Sequence, residues 1–343
     1  MIDGIDAEAV TGWLTAHEPS ARPPLDFSLI AGGRSNLSYR VTDRAGGAWV
    51  LRRPPLGTLL ASAHDMSREH RIIAALAGSP VPVPPVVGLS PDDSVNGAPF
   101  YVMRFVDGVV LRDPAVVGSI AEPVRRAAGE ALVDTLADLH AFDPDDVGLG
   151  ELGRREGYVE RLLRRWQGQW DKSKTRDLPL VDEVAERLAR RIPTPGPARI
   201  VHGDYRLDNV IVSPDDGRVQ AVLDWELCTL GDPLADVGLL LVYWTEPEDS
   251  FSPLTWAPTA AGGFPSRNEV ATRYATRSGR DLSEIDYYVA LGLWKLAVIL
   301  EGVYARYAAG AYGTGTDETW RDFDKLVPRI AEEAHDAASR AGR

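Results

Sequence analysis

The sequence predicts an α+β protein of two lobes, a small β-rich N-lobe and a large, mainly helical C-lobe. Three observations carry this. β-prone runs parted by glycine-rich turns fill much of the first third. Helical periodicity fills most of the remainder. One β-like island, at 210–223, interrupts that helical part. Strands first and helices later is the order of an α+β chain rather than of repeated βαβ units.

In chain order, runs at 27–31 and 37–42 flank the turn Gly32-Gly33-Arg34-Ser35-Asn36, and a strand at 48–52 follows Ala45-Gly46-Gly47. Pro54-Pro55 then breaks the chain. Residues 63–77 read as a helix with Met66, Ile72, Ile73 and Leu76 on one face. After the proline-rich stretch 80–85 comes a strand at 100–106, closed by Asp107-Gly108. Helices are expected at 121–141, 156–171, 180–191, 233–244, 267–277, 283–309 and 317–340. The island consists of 210–212, the turn Asp215-Asp216-Gly217 and 219–223. The expected division is an N-lobe over 1–106, a hinge at 107–111 and a C-lobe over 112–343. The Pro-, Gly- and Ser-rich stretch 247–265 reads equally as a lid over a site or as a surface insertion.

The chain has 343 residues, enough for one large or two coupled domains with real cores. Its 44% hydrophobic and 25% charged content is ordinary for a soluble globular protein. A net charge of -13 argues against nucleic acid as a partner. Cys228 is the single cysteine, which excludes an intrachain disulfide and fits a reducing cytosol. Residues 1–24 show no basic start leading into an apolar run. The longest apolar stretches, 237–244 and 289–300, are short for a membrane span, and Lys295 interrupts the second. A cytoplasmic protein without a membrane partner is expected.

Three segments carry chemistry. The first is His202-Gly203-Asp204-Tyr205-Arg206-Leu207-Asp208-Asn209. Phosphoryl transfer needs phosphates held, Mg²⁺ placed and a hydroxyl aimed beside a base; the kinase template meets this with a loop Asp and an Asn five residues on. Asp204 and Asn209 have that spacing. His202 reads as a structural residue of the loop. Arg206 either steadies the transferred phosphate or is a surface arginine. The second segment is an apolar strand ending in Asp224-Trp225-Glu226. A carboxylate at a strand end suits a hard cation shared with nucleotide phosphates, so Asp224 is the main expected metal ligand and Asn209 the second. The third is Ala48-Trp49-Val50-Leu51-Arg52 with Glu69. Strand alternation sets Val50 and Arg52 on one face, with Val50 toward adenine and Arg52 toward the phosphates of ATP. Glu69 lies on the apolar helix stripe and needs a cationic partner there, Arg52; alternatively it sits at the stripe's edge and faces water. Ser35 and Asn36 lie in a turn whose backbone N–H groups could wrap phosphates. Backbone groups near Arg104 and Val106 could contact adenine at the hinge.

Together these segments resemble the aminoglycoside phosphotransferase-like family, a branch of the protein-kinase-like fold. The motifs are H-G-D-x-x-x-x-N, then D-W-E, then Gly231-Asp232-Pro233-Leu234-Ala235-Asp236. Within that family the chain is similar to the kinase-like domain fused to some acyl-CoA dehydrogenases, through Gly32-Gly33-Arg34-Ser35-Asn36-Leu37, Leu51-Arg52-Arg53-Pro54-Pro55, Ser62-Ala63-His64-Asp65-Met66 with Arg68-Glu69, and Pro99-Phe100-Tyr101-Val102-Met103. The resemblance implies Asp204 as catalytic base, Asn209 and Asp224 as Mg²⁺ ligands, and Asp236 as an acid that braces the loop. Arg52 departs from the family's usual lysine, yet keeps a charge that forks onto phosphate.

The expected reaction is ATP- and Mg²⁺-dependent phosphorylation of a small-molecule hydroxyl. A polycationic aminoglycoside acceptor would call for clustered carboxylates. Residues 151–176 instead carry a net charge of +4, with Arg161, Arg164 and Arg165 on one helical face near Trp166 and Trp170. Such a face suits an anionic acceptor such as a hydroxyacyl-CoA thioester, as the subfamily resemblance also implies; it also reads as a solvated helix face over core tryptophans. Glu246, Glu248 and Asp249 point the other way, toward a cationic acceptor. A nucleotide-binding pseudokinase acting as a regulatory module is the alternative of another class.

Overall fold

A computed structural model of the chain describes residues 2–30, 36–56, 65–310 and 318–341. Contacts divide it into two compact units. One holds Met1–Val109, Asn209–Ser213 and Val219–Leu227; the other holds Val110–Asp208, Pro214–Arg218 and Cys228–Arg343. The expected order of strands first and helices later is observed.

In the smaller unit, helix α1 (Ala7–His17) starts at Asp6, whose carboxylate caps the Ala9 N–H at 3.1 Å. Strands β1 (Leu25–Leu29), β2 (Leu37–Asp43) and β3 (Ala48–Arg53) follow, then helix α2 (Met66–Leu76) and strands β4 (Val86–Ser90) and β5 (Phe100–Arg104). The five strands form one antiparallel sheet in the order β1-β2-β3-β5-β4. One face of that sheet is apolar: Tyr39, Val41, Trp49, Leu51, Phe100 and Val102 pack with Val10 and Leu14 of α1. Because side chains alternate along a strand, the opposite face carries Val50 and Arg52 of β3, directly across from Met103 and Tyr101 of β5. α1 and β4 were not expected from the sequence. β5 ends at Arg104, two residues short of the expected 106.

The larger unit begins with helices α3 (Pro114–Ser119), α4 (Glu122–Ala141), α5 (Tyr158–Ser173) and α6 (Pro179–Arg190). Strand β6 (Arg199–Val201) leads into His202. The next strands, β7 (Val210–Val212) and β8 (Val219–Val222), form a hairpin that belongs to the smaller unit rather than to the expected C-lobe. Backbone bonds fix that membership. Val109 and Val212 form a bridge, and the Val222 N–H donates to the Pro82 carbonyl at 2.8 Å. Gly108 serves the same contact: at φ +141°, a Cβ there would lie 2.5 Å from the Ile211 side chain and 2.7 Å from the Val212 carbonyl oxygen.

Strand β9 (Thr229–Gly231) pairs antiparallel with β6, and helices α7 (Pro233–Tyr243), α8 (Arg267–Ser278), α9 (Ile285–Ala308) and α10 (Phe323–Arg340) complete the chain. α9 exceeds the apolar stretch read from the sequence. Among the described residues it alone is long and apolar enough to cross a membrane by length and composition. It is nonetheless the core helix of this unit: Tyr288, Leu291, Trp294 and Val298 pack with Trp170, Val184, Val327 and Ile330. The segment before α10 is a 3-10 turn, Glu318–Asp322, where an unbroken helix was expected. No apolar residue precedes Trp320 there to supply helical periodicity.

The stretch 247–265 is pinned rather than a loose insertion. Trp244 donates its indole N–H to the Pro265 carbonyl at 2.8 Å, Arg125 donates to the Ala261 carbonyl at 3.1 Å, and Ala257 and Thr259 are buried.

Candidate active site

In the smaller unit, the sequence-expected pair forms: Arg52 Nε lies 3.0 Å from Glu69 Oε2. Glu69 is 2% exposed, so it faces inward from the α2 stripe and not toward water. It also accepts from the Tyr101 hydroxyl at 3.0 Å and from the Asn36 amide at 2.9 Å. A buried carboxylate survives only with such partners. Arg52 extends further, with Nη2 2.5 Å from Asp224 Oδ1. Its guanidinium therefore bridges two carboxylates.

Asp224 follows β8. Its φ of +62° is the only positive value at a non-glycine position among the described residues. Asp tolerates the left-handed region better than bulkier residues, but such backbone persists only where its surroundings enforce it. Here the Leu223 N–H donates to the Asn209 carbonyl at 2.8 Å, so Asn209 and Asp224 stand at the same end of the β7–β8 hairpin. An amide oxygen and a carboxylate are hard donors of the kind Mg²⁺ takes, with phosphates and water completing its shell. No group of three or more His, Cys, Asp or Glu able to hold a metal occurs among the described residues. A cation here would thus lean on Asn209, Asp224 and its nucleotide.

The remaining nucleotide-site expectations fare unevenly. Val50 is nearly buried beside Met103 and shares a face with Arg52. Asn36 turns its amide toward Glu69 and Glu226, the latter at 3.4 Å, and so braces carboxylates. Ser35 lies outside the described residues, with the rest of 31–35. Arg104 does not present its N–H to a ligand: that group donates to the Pro85 carbonyl at 2.8 Å, while the side chain pairs with Glu18 at 2.6 Å. Val106 lies past the strand end, half-buried.

Burial pushes the Glu69 carboxyl from 4.5 up to about 7, against the pull of the adjacent Arg52 guanidinium. Between those values the folded chain holds a proton that the unfolded chain has released. Stability is therefore expected to fall as pH rises from about 4.5 to about 7, while the ion pair with Arg52 strengthens. If that pair orients nucleotide, nucleotide affinity climbs across the same window. Glu69→Gln is expected to flatten both slopes, checked by urea unfolding and nucleotide titration at a series of pH values.

In the larger unit, the 202–204 loop hangs on one buried carboxylate. β6 delivers His202, and β9 runs into Asp232, which caps α7 through the Leu234 N–H at 3.0 Å. One turn into α7, Asp236 accepts the His202 N–H at 2.6 Å and the Gly203 N–H at 2.8 Å. His140, at the end of α4, completes the set, with Nε2 3.3 Å from Asp236 Oδ2 and Nδ1 2.7 Å from the Tyr274 hydroxyl. An ionised carboxylate can only accept, so Nε2 carries hydrogen and Nδ1 accepts from Tyr274. Burial pushes His140 below its ordinary value, keeping it neutral. Burial alone would raise Asp236, but the His140 hydrogen bond and the other donors hold its carboxyl below the ordinary value. Gly203 sits at φ +85°, a conformation that favours glycine.

Asp204 follows, with its side chain 27% exposed. The Tyr243 hydroxyl donates to it, and Arg206 Nε lies 3.8 Å from Oδ2. Arg206 is no free surface arginine: its guanidinium also lies 3.3 Å from Asp208 Oδ2 and 4.9 Å over the Tyr243 ring. Lys295 of α9, which the sequence reading passed over as an interruption, donates to the Gly203 carbonyl at 3.1 Å. The only sequence sign of it is a lone cation in an apolar run.

The basic stretch 151–176 is partly spent on structure. Arg161 donates to the carbonyls of Arg154 and Glu156, Arg155 pairs with Asp145 at 2.7 Å, and Arg176 pairs with buried Glu301 at 3.0 Å. Trp170 is fully buried and donates to Asp182 at 3.0 Å; Trp166 packs at the core's edge. Arg164 and Arg165 stay exposed. The acidic counterweight shrinks too, because Arg267 pairs with both Glu246, at 3.4 Å, and Asp249.

The sequence pattern of the phosphotransferase enzyme family matches residues 26–285. Acyl-CoA dehydrogenase family member 10 of Mus musculus is 36% identical over 326 residues, a match that covers 93% of this chain and 30% of that protein. This chain thus spans about a third of that relative's length. A crystal structure of a candidate aminoglycoside phosphotransferase from Ralstonia eutropha is 32% identical, with a TM-score of 0.82 over 98% of this chain and 99% of the other. The GDP complex of aminoglycoside 2'-phosphotransferase-IIIa shares the fold, with a TM-score of 0.62 at 16% identity over 96% of this chain and 99% of the other.

Proposed function

Because this chain belongs to the phosphotransferase enzyme family, we propose that it transfers the γ-phosphoryl group of ATP, with Mg²⁺, to the hydroxyl of an acyl-CoA acceptor. The observation that carries the reaction is Asp204, a partly exposed carboxylate on a loop whose backbone is held by buried Asp236.

Asp204 orients the acceptor hydroxyl and takes its proton as the oxygen bonds to the γ-phosphorus. The bond from that phosphorus to the β–γ bridging oxygen breaks, and the nucleoside diphosphate leaves with the electron pair. Arg206 steadies the transferred group. Asn209 and Asp224 would hold Mg²⁺, whose charge would offset that of the phosphates. Arg52, braced by Glu69, holds the nucleotide phosphates, and Val50 lines the base. Val106 remains the hinge contact to adenine, through its backbone. Arg52 takes one oxygen of Asp224, so a cation using both oxygens would need Arg52 to turn to another anion, which would couple nucleotide and cation binding. We place this chemistry in the cytoplasm, a reading supported by the single, buried Cys228.

Two findings support the acyl-CoA acceptor. Two of the three acidic residues that would draw a polycation, Glu246 and Asp249, are paired with Arg267, while Arg164 and Arg165 stay exposed on α5. A relative 36% identical bears an acyl-CoA dehydrogenase name. The test sets hydroxybutyryl-CoA beside kanamycin, choline and glucose, with ATP and Mg²⁺, and compares kcat/KM. The thioester is expected to lead. A lead for kanamycin would favour the aminoglycoside reading that the Ralstonia relative's name suggests. Nucleotide binding without any phosphorylated product would favour the regulatory module, which the Arg52–Asp224 contact would then explain.

A further inference from the structure

Lys295 is a buried cation with unusual company. It sits in the middle of the core helix α9, 9% exposed, yet no carboxylate lies within ion-pair distance of its ammonium among the described residues. Its contacts there are the Gly203 carbonyl at 3.1 Å and the face of Trp166, 5.7 Å from the ring centroid. An ammonium has three donors, and one bond to a carbonyl does not balance the cost of burying the charge. Asp204 and Asp236 act on it as attracting charges and Arg165 as a repelling one, while burial pushes its amine below the ordinary lysine value. A residue needed only to satisfy the Gly203 carbonyl would not have to be a cation. An uncharged donor or a water would serve.

Of the two acids that attract the Lys295 ammonium, Asp204 acts more strongly, and Arg206 and Tyr243 flank that carboxylate. Arg206 lies beside Asp204, the Lys295 ammonium feels that carboxylate, and Arg165 acts in turn on Lys295, with Trp166 and Tyr243 as aromatic surfaces. A site so composed repels an ammonium-rich acceptor by like charge. It attracts one whose hydroxyl is accompanied by a carbonyl or an anionic oxygen.

We propose that Lys295 is the specificity-determining residue of the acceptor site: it fixes the Gly203 carbonyl with one N–H and offers the others to a carbonyl or anionic oxygen of the acceptor. This rests on the reading that Asp204 faces the acceptor hydroxyl. It goes beyond that reading in naming the residue that selects the acceptor's chemistry.

The experiment compares wild type, Lys295→Met and Lys295→Arg with hydroxybutyryl-CoA and kanamycin as the two acceptors, alongside nucleotide affinity and melting temperature. In Lys295→Met the kcat/KM ratio of thioester to kanamycin is expected to fall on the order of 10²-fold, with nucleotide affinity unchanged. Lys295→Arg, which keeps the charge, is expected to retain most of the ratio. A ratio that neither variant moves overturns the role of Lys295. So does a parallel loss of nucleotide affinity and transfer to both acceptors in both variants, which marks a merely structural lysine. A wild type that prefers kanamycin overturns the acceptor reading instead. The two failures are told apart because the first is read from the variants and the second from the wild type.

Discussion

Asp204→Asn is expected to lower kcat by about 10²–10⁴-fold, the span that a positioned general base contributes, while nucleotide affinity holds. The substitution keeps the shape of the side chain and removes its capacity to take a proton. The amide oxygen can still accept the Tyr243 hydroxyl, so the loop has no reason to move. The Arg52–Glu69 and Arg52–Asp224 pairs of the smaller unit are untouched by the substitution itself. The check pairs steady-state transfer rates with calorimetric nucleotide titration. Loss of both together would mean that the variant had disturbed the fold and not the proton transfer.

The second large effect is expected from Asp236→Ala. Three donors lose their acceptor at once: the His202 and Gly203 backbone N–H groups and His140 Nε2. Asp236 and His140 are 1% and 0% exposed, so water cannot substitute cheaply. Leaving a buried donor without an acceptor costs about 1–3 kcal/mol, so three together remove a large share of the 5–15 kcal/mol typical of a folded domain. Urea unfolding should show this loss, and amide exchange should rise first at 202–204. Asp236→Asn retains one acceptor oxygen and is expected to fall between. Its carboxyl is held below the ordinary value, so the brace persists until the solution is strongly acid and weakens as pH falls further.

These two residues also mark what the sequence makes legible. The spacing of Asp204 and Asn209, the strand-end Asp224 and the Arg52–Glu69 pair are visible because each follows from a local rule: a fixed offset, a terminated apolar strand, a charge on a helical stripe. The long helices are legible for the same reason, because their apolar residues recur every three or four positions. Elements with little of their own to bury are not. α1 buries only Val10 and Leu14, and β6 and β9 are three residues long, stabilised by each other rather than by pattern. Contacts across long stretches of chain are silent too. Nothing local joins His140 to Asp236, 96 residues on, or tells that Arg161 is spent on the carbonyls of Arg154 and Glu156. Lys295 belongs to this class: one cation in an apolar run has no period, and only packing places it against Gly203. The Asn36 amide likewise faces Glu69 because β2 carries it there, whatever the turn before it suggests.

This phosphotransferase is expected to move phosphate from nucleotide to an acceptor hydroxyl through Asp204. The most direct measurement incubates the protein with ATP, Mg²⁺ and hydroxybutyryl-CoA, then quantifies ADP and identifies the product by phosphorus NMR and mass. One phosphate ester on the hydroxyl is expected for each ADP released, in wild type but not in Asp204→Asn. ADP matched only by free phosphate, or an ester formed equally well by the variant, would contradict it.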